Sequence, residues 1–173
     1  MQLKDSVEIR PLTPDAWQLH RAVRLAALAD APYAFTTRLA DVAGRSDDEW
    51  ADLTRRRAQD PNGITYFAYV DGEPCGMAAC VLTDLGAEML AVWVAPQRRR
   101  QGVAEAMVDY ARAWALGHGV ARLVVGVYAD NHGAVALYRS VGFVATGEHR
   151  VTEQAEAGQP ILIMAMGSEG MTG

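Results

Sequence analysis

Long apolar runs are missing from this sequence. Nowhere does it hold the ~20 consecutive apolar residues that cross a bilayer, and Met1 to Arg10 carries Lys4, Asp5 and Glu8 where a secretory signal would be apolar. A cytoplasmic chain without membrane contact is therefore expected. Cysteine is scarce as well: Cys75 and Cys80 stand five apart on one expected strand, hence on opposite faces, so they read as small buried hydrophobes rather than a disulfide or metal pair. The four histidines, His20, His118, His132 and His149, fall on different elements without metal-ligand spacing. Solvated or helix-end positions are expected for them, His118 suiting a helix C-terminus, and no metal is expected. Positive charge is in deficit, at 16 Lys and Arg against 21 Asp and Glu, which argues against general nucleic-acid affinity. Repeats, linkers and low-complexity blocks are absent too.

What remains is one domain of 173 residues, half of them hydrophobic, with enough chain for a real core. Val7 to Arg10 alternates like a strand. Thr13 and Pro14 mark a helix start, with Leu19, Val23, Ala26 and Ala27 as its apolar stripe. Ala31 to Arg45 reads as a loop, and Ser46-Asp47-Asp48-Glu49 as a capping box opening a second helix with Trp50 and Leu53 inward. Ile64 to Val70, Asp71-Gly72 and Pro74 to Leu82 form a hairpin that Glu88 to Val94 extends. A helix over 102 to 116, a strand Arg122 to Tyr128, a helix Asn131 to Val141, a strand from Phe143 and a last strand Ile161 to Met166 complete the chain. Glu153 to Pro160 is expected as a hairpin loop and residues 167 to 173 as a frayed tail. The order β α α β β β α β α β β gives a mixed α/β sheet with helices on its faces.

The centre of this arrangement is Val92 to Ala104: a β-branched run ending at Pro96, a loop with Arg98, Arg99 and Arg100, then Gly102 opening a segment in which Val103, Met107, Tyr110 and Trp114 recur at helical spacing. A helix start presents unpartnered N–H groups and the positive end of the dipole, so a polyphosphate-bearing ligand is expected here. The three glycines of a dinucleotide loop and the Gly-Lys-Ser/Thr of a triphosphate loop are both lacking. A bland alternative is a βα loop whose arginines are merely solvated.

Arg99, Gly102 and Ala104 resemble motif A of the GNAT superfamily of acyl-CoA-dependent N-acetyltransferases, (Arg/Gln)-x-x-Gly-x-(Gly/Ala). Asn131, Ala134, Leu137, Tyr138, Gly142 and Phe143 are similar to its motif B, Asn-x-x-Ala-x-x-Leu-Tyr-x-x-x-Gly-Phe, at every fixed position. The resemblance covers roughly Val7 to Met166 and implies a single domain with a mostly antiparallel sheet of about seven strands, four flanking helices and a splayed central parallel pair. It implies acetyl-CoA as co-substrate. The pyrophosphate would lie on the N–H groups of Arg100, Gln101, Gly102, Val103, Ala104 and Glu105, and the pantetheine arm along Val92, Trp93 and Val94. A bulge in the first strand of the pair causes the splay in that superfamily.

Asn131 reads both as a helix N-cap and, by resemblance, as a contact of the cofactor arm. Tyr138 is either a core tyrosine or the general acid that protonates the departing thiolate, whose pKa near 8.5 lies below that of a tyrosine near 10. Glu88, fourteen residues before Gly102, is a solvated strand-start carboxylate or, as the histone-type members of the superfamily imply, the base. A base matters most for a lysine-like acceptor, neutral about once in 2500 molecules at pH 7. Members acting on protein α-amines carry a glutamate where this chain has Gly126.

The expected activity is acetyl transfer to a primary amine of a small molecule or peptide. A silent acyl-CoA sensor on the same fold is the alternative, and a nucleic-acid-binding domain is disfavoured by the acidic balance. The net charge modestly favours a cationic amine. The acceptor would be chosen by Ala31 to Arg45, the second helix and the loop near Glu153, with Tyr33, Phe35 and Trp50 lining its pocket or packing in the core. The superfamily's common homodimer is admitted as an assembly.

Overall fold

A computed structural model describes residues 6–151 and 160–167. Its elements are β1 (Glu8–Pro11), α1 (Trp17–Asp30), α2 (Leu39–Ala43), α3 (Asp47–Ala58), β2 (Gly63–Val70), β3 (Glu73–Thr83), β4 (Gly86–Val94), α4 (Val103–Gly117), β5 (Leu123–Tyr128), α5 (His132–Ser140), β6 (Val144–Arg150) and β7 (Ile161–Met166). The strands form one sheet in the order β1-β2-β3-β4-β5-β7-β6. Every neighbouring pair is antiparallel except β4 and β5. The expected α/β architecture is thus observed, with four helices of nine residues or more and the short α2 besides. Among the described residues no helix is long and apolar enough to cross a membrane.

Local chemistry explains most boundaries. Ser46 Oγ accepts the Glu49 N–H while the Glu49 carboxylate accepts the Ser46 N–H, so the capping box forms. Asp71 and Gly72 turn the β2–β3 hairpin, both at positive φ, 54° and 78°, as a tight two-residue turn requires. Cys75 and Cys80 are buried free thiols.

Three expectations are corrected. Thr13 caps nothing: its hydroxyl donates to Asp15, residues 13 to 16 make a turn closed by Ala16 N–H on the Thr13 carbonyl, and α1 starts only at Trp17. The stripe of α1 is His20, Val23, Ala27 and Leu28, with Ala26 outward, because a polar His20 takes a core position that an apolar count passes over. The expected loop Ala31 to Arg45 contains a 3-10 turn at Pro32–Ala34 and then α2. Val42 of α2 is buried with Leu28 and Trp50 in a small second core. Residues 153–159 of the expected hairpin loop and 168–173 of the expected tail lie outside the described residues.

The sheet is interrupted at its centre. Parallel pairing of β4 with β5 covers just Ala87↔Leu123, Glu88↔Val124 and Met89↔Val125. On its other side β4 pairs with β3, but the register jumps between Met77↔Trp93 and Ala79↔Leu90, leaving one extra residue on β4. Ala91, at φ 54°, sits in that bulge. A bulge bends its strand and sharpens the local twist, and beyond Met89 the two parallel strands separate. The bulge implied by family resemblance is therefore present, at Ala91 and Val92.

Candidate active site

Where β4 and β5 part, a cavity of about 550 Å³ opens. Leu90, Ala91 and Val92 line one side and Val125 to Tyr128 the other. Past Val125 the β5 edge facing β4 has no strand partner, so backbone donors and acceptors of both strands border the space. Gly126 keeps the β5 backbone uncovered there. A Cβ at that position would lie 2.9 Å from Ile161 Cγ2.

Asn131 and Tyr138 reach the same cavity from α5. Asn131 is the N-cap: its Oδ1 accepts the Ala134 N–H at 3.1 Å, which leaves the two amide donors for the space it lines. Its capping role is thus observed. Tyr138 is buried, its ring edge-on to Phe143 at 5.5 Å. Burial pushes its hydroxyl well above the usual phenol range, so the proton stays on the oxygen across the working pH range. Leu137, its neighbour in the second motif, is 36% exposed and does not share its environment.

Glu88 contradicts the solvated alternative. It is buried at 6% exposure on the three-residue paired part of β4, lines the cavity, and accepts two hydrogen bonds from the Arg150 guanidinium, at 2.8 and 3.4 Å. The pair sets a carboxylate directly against a guanidinium inside the sheet.

The loop leading to α4 divides its arginines among different tasks. Arg99 Nε donates to the Val94 carbonyl at 3.0 Å and Arg99 Nη2 to Asp30, whose Oδ2 also accepts the Trp93 indole N–H at 2.9 Å. Arg99 therefore ties the end of β4 to α1. The Val94 carbonyl is occupied and the Trp93 side chain is buried, and of Val92 to Val94 it is Val92 that borders the cavity. Arg98 bridges to Asp71 of the hairpin turn at 3.4 Å. Arg100, exposed and left-handed at φ 60°, has no ion-pair partner among the described residues. Gln101 folds back, its Nε2 donating to the Gln97 carbonyl.

Gly102 is the N-cap of α4 at φ 82°, without a capping side chain, and the first long helical bond is Ala106 N–H to Gly102 O at 3.0 Å. The N–H groups of Val103 and Ala104 precede that bond and face outward as helix-start donors. Val103 packs inward, Ala104 is half-buried and the Glu105 side chain is exposed, so the backbone there is approachable. This donor set, with Arg100 beside it, fits a pyrophosphate.

At the cavity's other end stand His20, Arg24, Arg45 and Arg57, which sequence reasoning did not select for it, together with Phe35 and Trp50, which it offered as pocket or core residues. His20 is neither solvated nor at a helix end. Its Nδ1 is 2.9 Å from Thr54 Oγ1, its ring meets Trp50 at 5.6 Å, and its pKa is lowered to about 4 by burial and then by Arg24, Arg57 and Arg45. One signal was available: Arg24 follows His20 by four residues and so shares its helix face. Trp50 serves the core and the cavity together, whereas Tyr33, 65% exposed, lines a second opening of about 900 Å³ with Asp130, Asn131 and His132. His118 stays at the end of α4 with Nδ1 2.9 Å from the Trp114 carbonyl, and His132 and His149 are exposed. Among the described residues no three His, Cys, Asp or Glu side chains converge as a metal site.

Comparison with known proteins gives concordant findings. The sequence model of the Acetyltransferase (GNAT) family matches residues 25–143. A mycothiol acetyltransferase of Renibacterium salmoninarum is 28% identical over 82% of this chain and 41% of its own length, and mouse N-acetyltransferase family 8 member 3 is 29% identical over 58% of this chain and 47% of its own. The chain thus spans less than half the length of these curated relatives. A spermidine N-acetyltransferase from Vibrio cholerae, solved with CoA and spermine, superposes with a TM-score of 0.74 at 18% identity, covering 94% of this chain and 95% of that one.

Proposed function

Because this chain belongs to the GNAT acetyltransferase family, we propose that it transfers an acetyl group from acetyl-CoA to a primary amine by direct attack, with Tyr138 as general acid and Glu88 as the proton acceptor. The observation that carries this reading is the cavity at the separation of β4 and β5, bordered by two unpaired backbone edges and by Tyr138, Asn131 and Glu88. The co-substrate supplies the thioester carbonyl under attack and the thiolate that leaves.

Each residue then has a task set by its surroundings. The turn at Arg100 to Ala104 binds pyrophosphate through N–H groups and the Arg100 charge. The edges of Val92 and of Val125 to Tyr128 bind an amide-bearing arm as though it were a strand, each bond contributing about 0.5–1.5 kcal/mol. Tyr138 holds its proton until a thiolate develops beside it. Glu88, held in place by Arg150, draws a proton from the incoming ammonium, directly or through one water.

The test is release of free thiol from acetyl-CoA on a panel of polyamines, aminoglycosides, amino acids and lysine peptides. Turnover on at least one amine is expected. Glu88→Gln should lower kcat by about 10²-fold on a lysine-like amine and less on an α-amine, which needs less help. Calorimetric uptake of acetyl-CoA with no thiol release on any amine would favour a silent acyl-CoA sensor, and no uptake at all would end the reading.

A further inference from the structure

Resting on the acetyltransferase reading, we propose that the acceptor carries an acid group, a carboxylate or phosphate, beside its amine, and that Arg24, Arg45 and Arg57 form the subsite that binds this group. The three side chains come from separate elements, namely α1, the turn before α3 and the last turn of α3, yet they line one end of the cavity. Among the described residues lining that space there are four arginines and one carboxylate, Glu88. Glu88 is already bonded to Arg150. Arg24, Arg45 and Arg57 are left without a carboxylate partner among the described residues.

Such an arrangement opposes folding unless something repays it. Guanidinium groups close enough to depress one another's proton affinity repel, and Arg24 is held below the usual arginine range by burial and then by Arg57 and Arg45. One of its nitrogens, Nη1, is buried without a hydrogen-bond partner. Arg24 and Arg45 are half-buried and Arg57 is exposed, so the uncompensated charge weighs most on Arg24, where it is expensive.

Instead the planes are fixed on aromatic faces. The Arg24 guanidinium lies 5.0 Å from the Phe35 ring centroid and that of Arg45 5.6 Å from Trp50. Stacking of this kind leaves the N–H edges free and oriented, the geometry that suits an oxyanion. His20 adds no compensating or competing charge, being neutral at ordinary pH. A polyamine placed here would set its second cation against three arginines. The acidic balance of the whole chain therefore misleads about the acceptor, because selection occurs in a locally basic pocket.

The experiment compares matched amines as acceptors: phenylalanine against phenethylamine, O-phosphoethanolamine against ethanolamine, with glutamate and spermidine alongside. At least one acid-bearing amine should exceed its stripped partner by about 30-fold or more in kcat/KM, the size expected for a desolvated charge pair. Arg45→Gln and Arg57→Gln should each remove roughly tenfold of that advantage or more, through KM, with the stripped amine changed less than about threefold. Phenylalanine or phosphoethanolamine in the lead distinguishes carboxylate from phosphate. Turnover that ignores the acid group, prefers spermidine, or keeps its selectivity in both variants would overturn the proposal while leaving the acetyltransferase reading intact. If no amine is turned over, calorimetry of phenylalanine, glutamate and O-phosphoethanolamine, with and without CoA, decides the subsite alone: uptake lost in Arg57→Gln supports it, and no uptake by the wild-type chain refutes it.

Discussion

Tyr138 and His20 are both buried polar residues in the cavity wall, and burial acts on them in opposite senses. Removing the phenol from water disfavours the charged phenolate and raises its pKa. Tyr138→Phe keeps the ring against Phe143 and deletes one proton, so kcat should fall about 10²-fold with the acetyl-CoA KM little altered. Unchanged turnover would remove Tyr138 from the mechanism. In His20 the charged form is the protonated one, so burial and three neighbouring cations lower its pKa from 6.5 to about 4. Between these values the unfolded chain takes up a proton and the folded chain does not. Stability is therefore fully present above pH 6.5 and drains away as pH falls towards 4, by on the order of 3 kcal/mol from this one group. Urea midpoints measured from pH 7 to pH 4 should show that slope, and His20→Phe should flatten it. The side chain of His20 was misjudged from sequence because its burial is created by Trp50 and Phe67, 30 and 47 positions away.

At the scale of elements, two residues at positive φ shape the site. Gly102 at φ 82° aims the start of α4. Ala91 at φ 54° bends β4 away from β5. A β-branched side chain is poorly tolerated at positive φ, so Gly102→Val should raise the acetyl-CoA KM about tenfold or more and lower the melting temperature by several degrees. Ala91→Gly should instead hold or gain stability, by up to about 1 kcal/mol, since glycine adopts this conformation at no steric cost. Loss of stability in that variant, read from the same urea midpoints, would show that the bulge is held by the methyl group and not by backbone geometry. Asn131 and the Ser46–Glu49 box, by contrast, are caps whose partners lie three residues away, and such short-range pairs can be read directly from a sequence.

For the molecule as a whole, the cavity is where the two halves of the sheet meet. β1 to β4 pair on one side, β5 to β7 on the other, and three parallel residue pairs join them. The Glu88–Arg150 ion pair spans this junction from β4 to the edge strand β6. A co-substrate that bonds to both separated edges should brace it. At a concentration about 100 times its Kd, acetyl-CoA is expected to stabilise the fold by about 2.7 kcal/mol, a rise of roughly 5–11 °C in melting temperature for a chain of this size. Calorimetric scans with and without the ligand check this, and no shift would contradict the placement of the arm between the strands.

What the order of residues determined by itself was everything governed by short-range periodicity and turn chemistry: the strands, the longer helices, the glycine-opened helix after Arg98 to Arg100, and the two motifs that mark the family. Tertiary structure alone decided which charges meet. Arg24, Arg45 and Arg57 are spread over 34 positions, and Glu88 and Arg150 stand 62 apart. Coulombic neighbours of that kind are set by how α1, α3 and the sheet pack together. Periodicity along a chain carries no information about contacts across it.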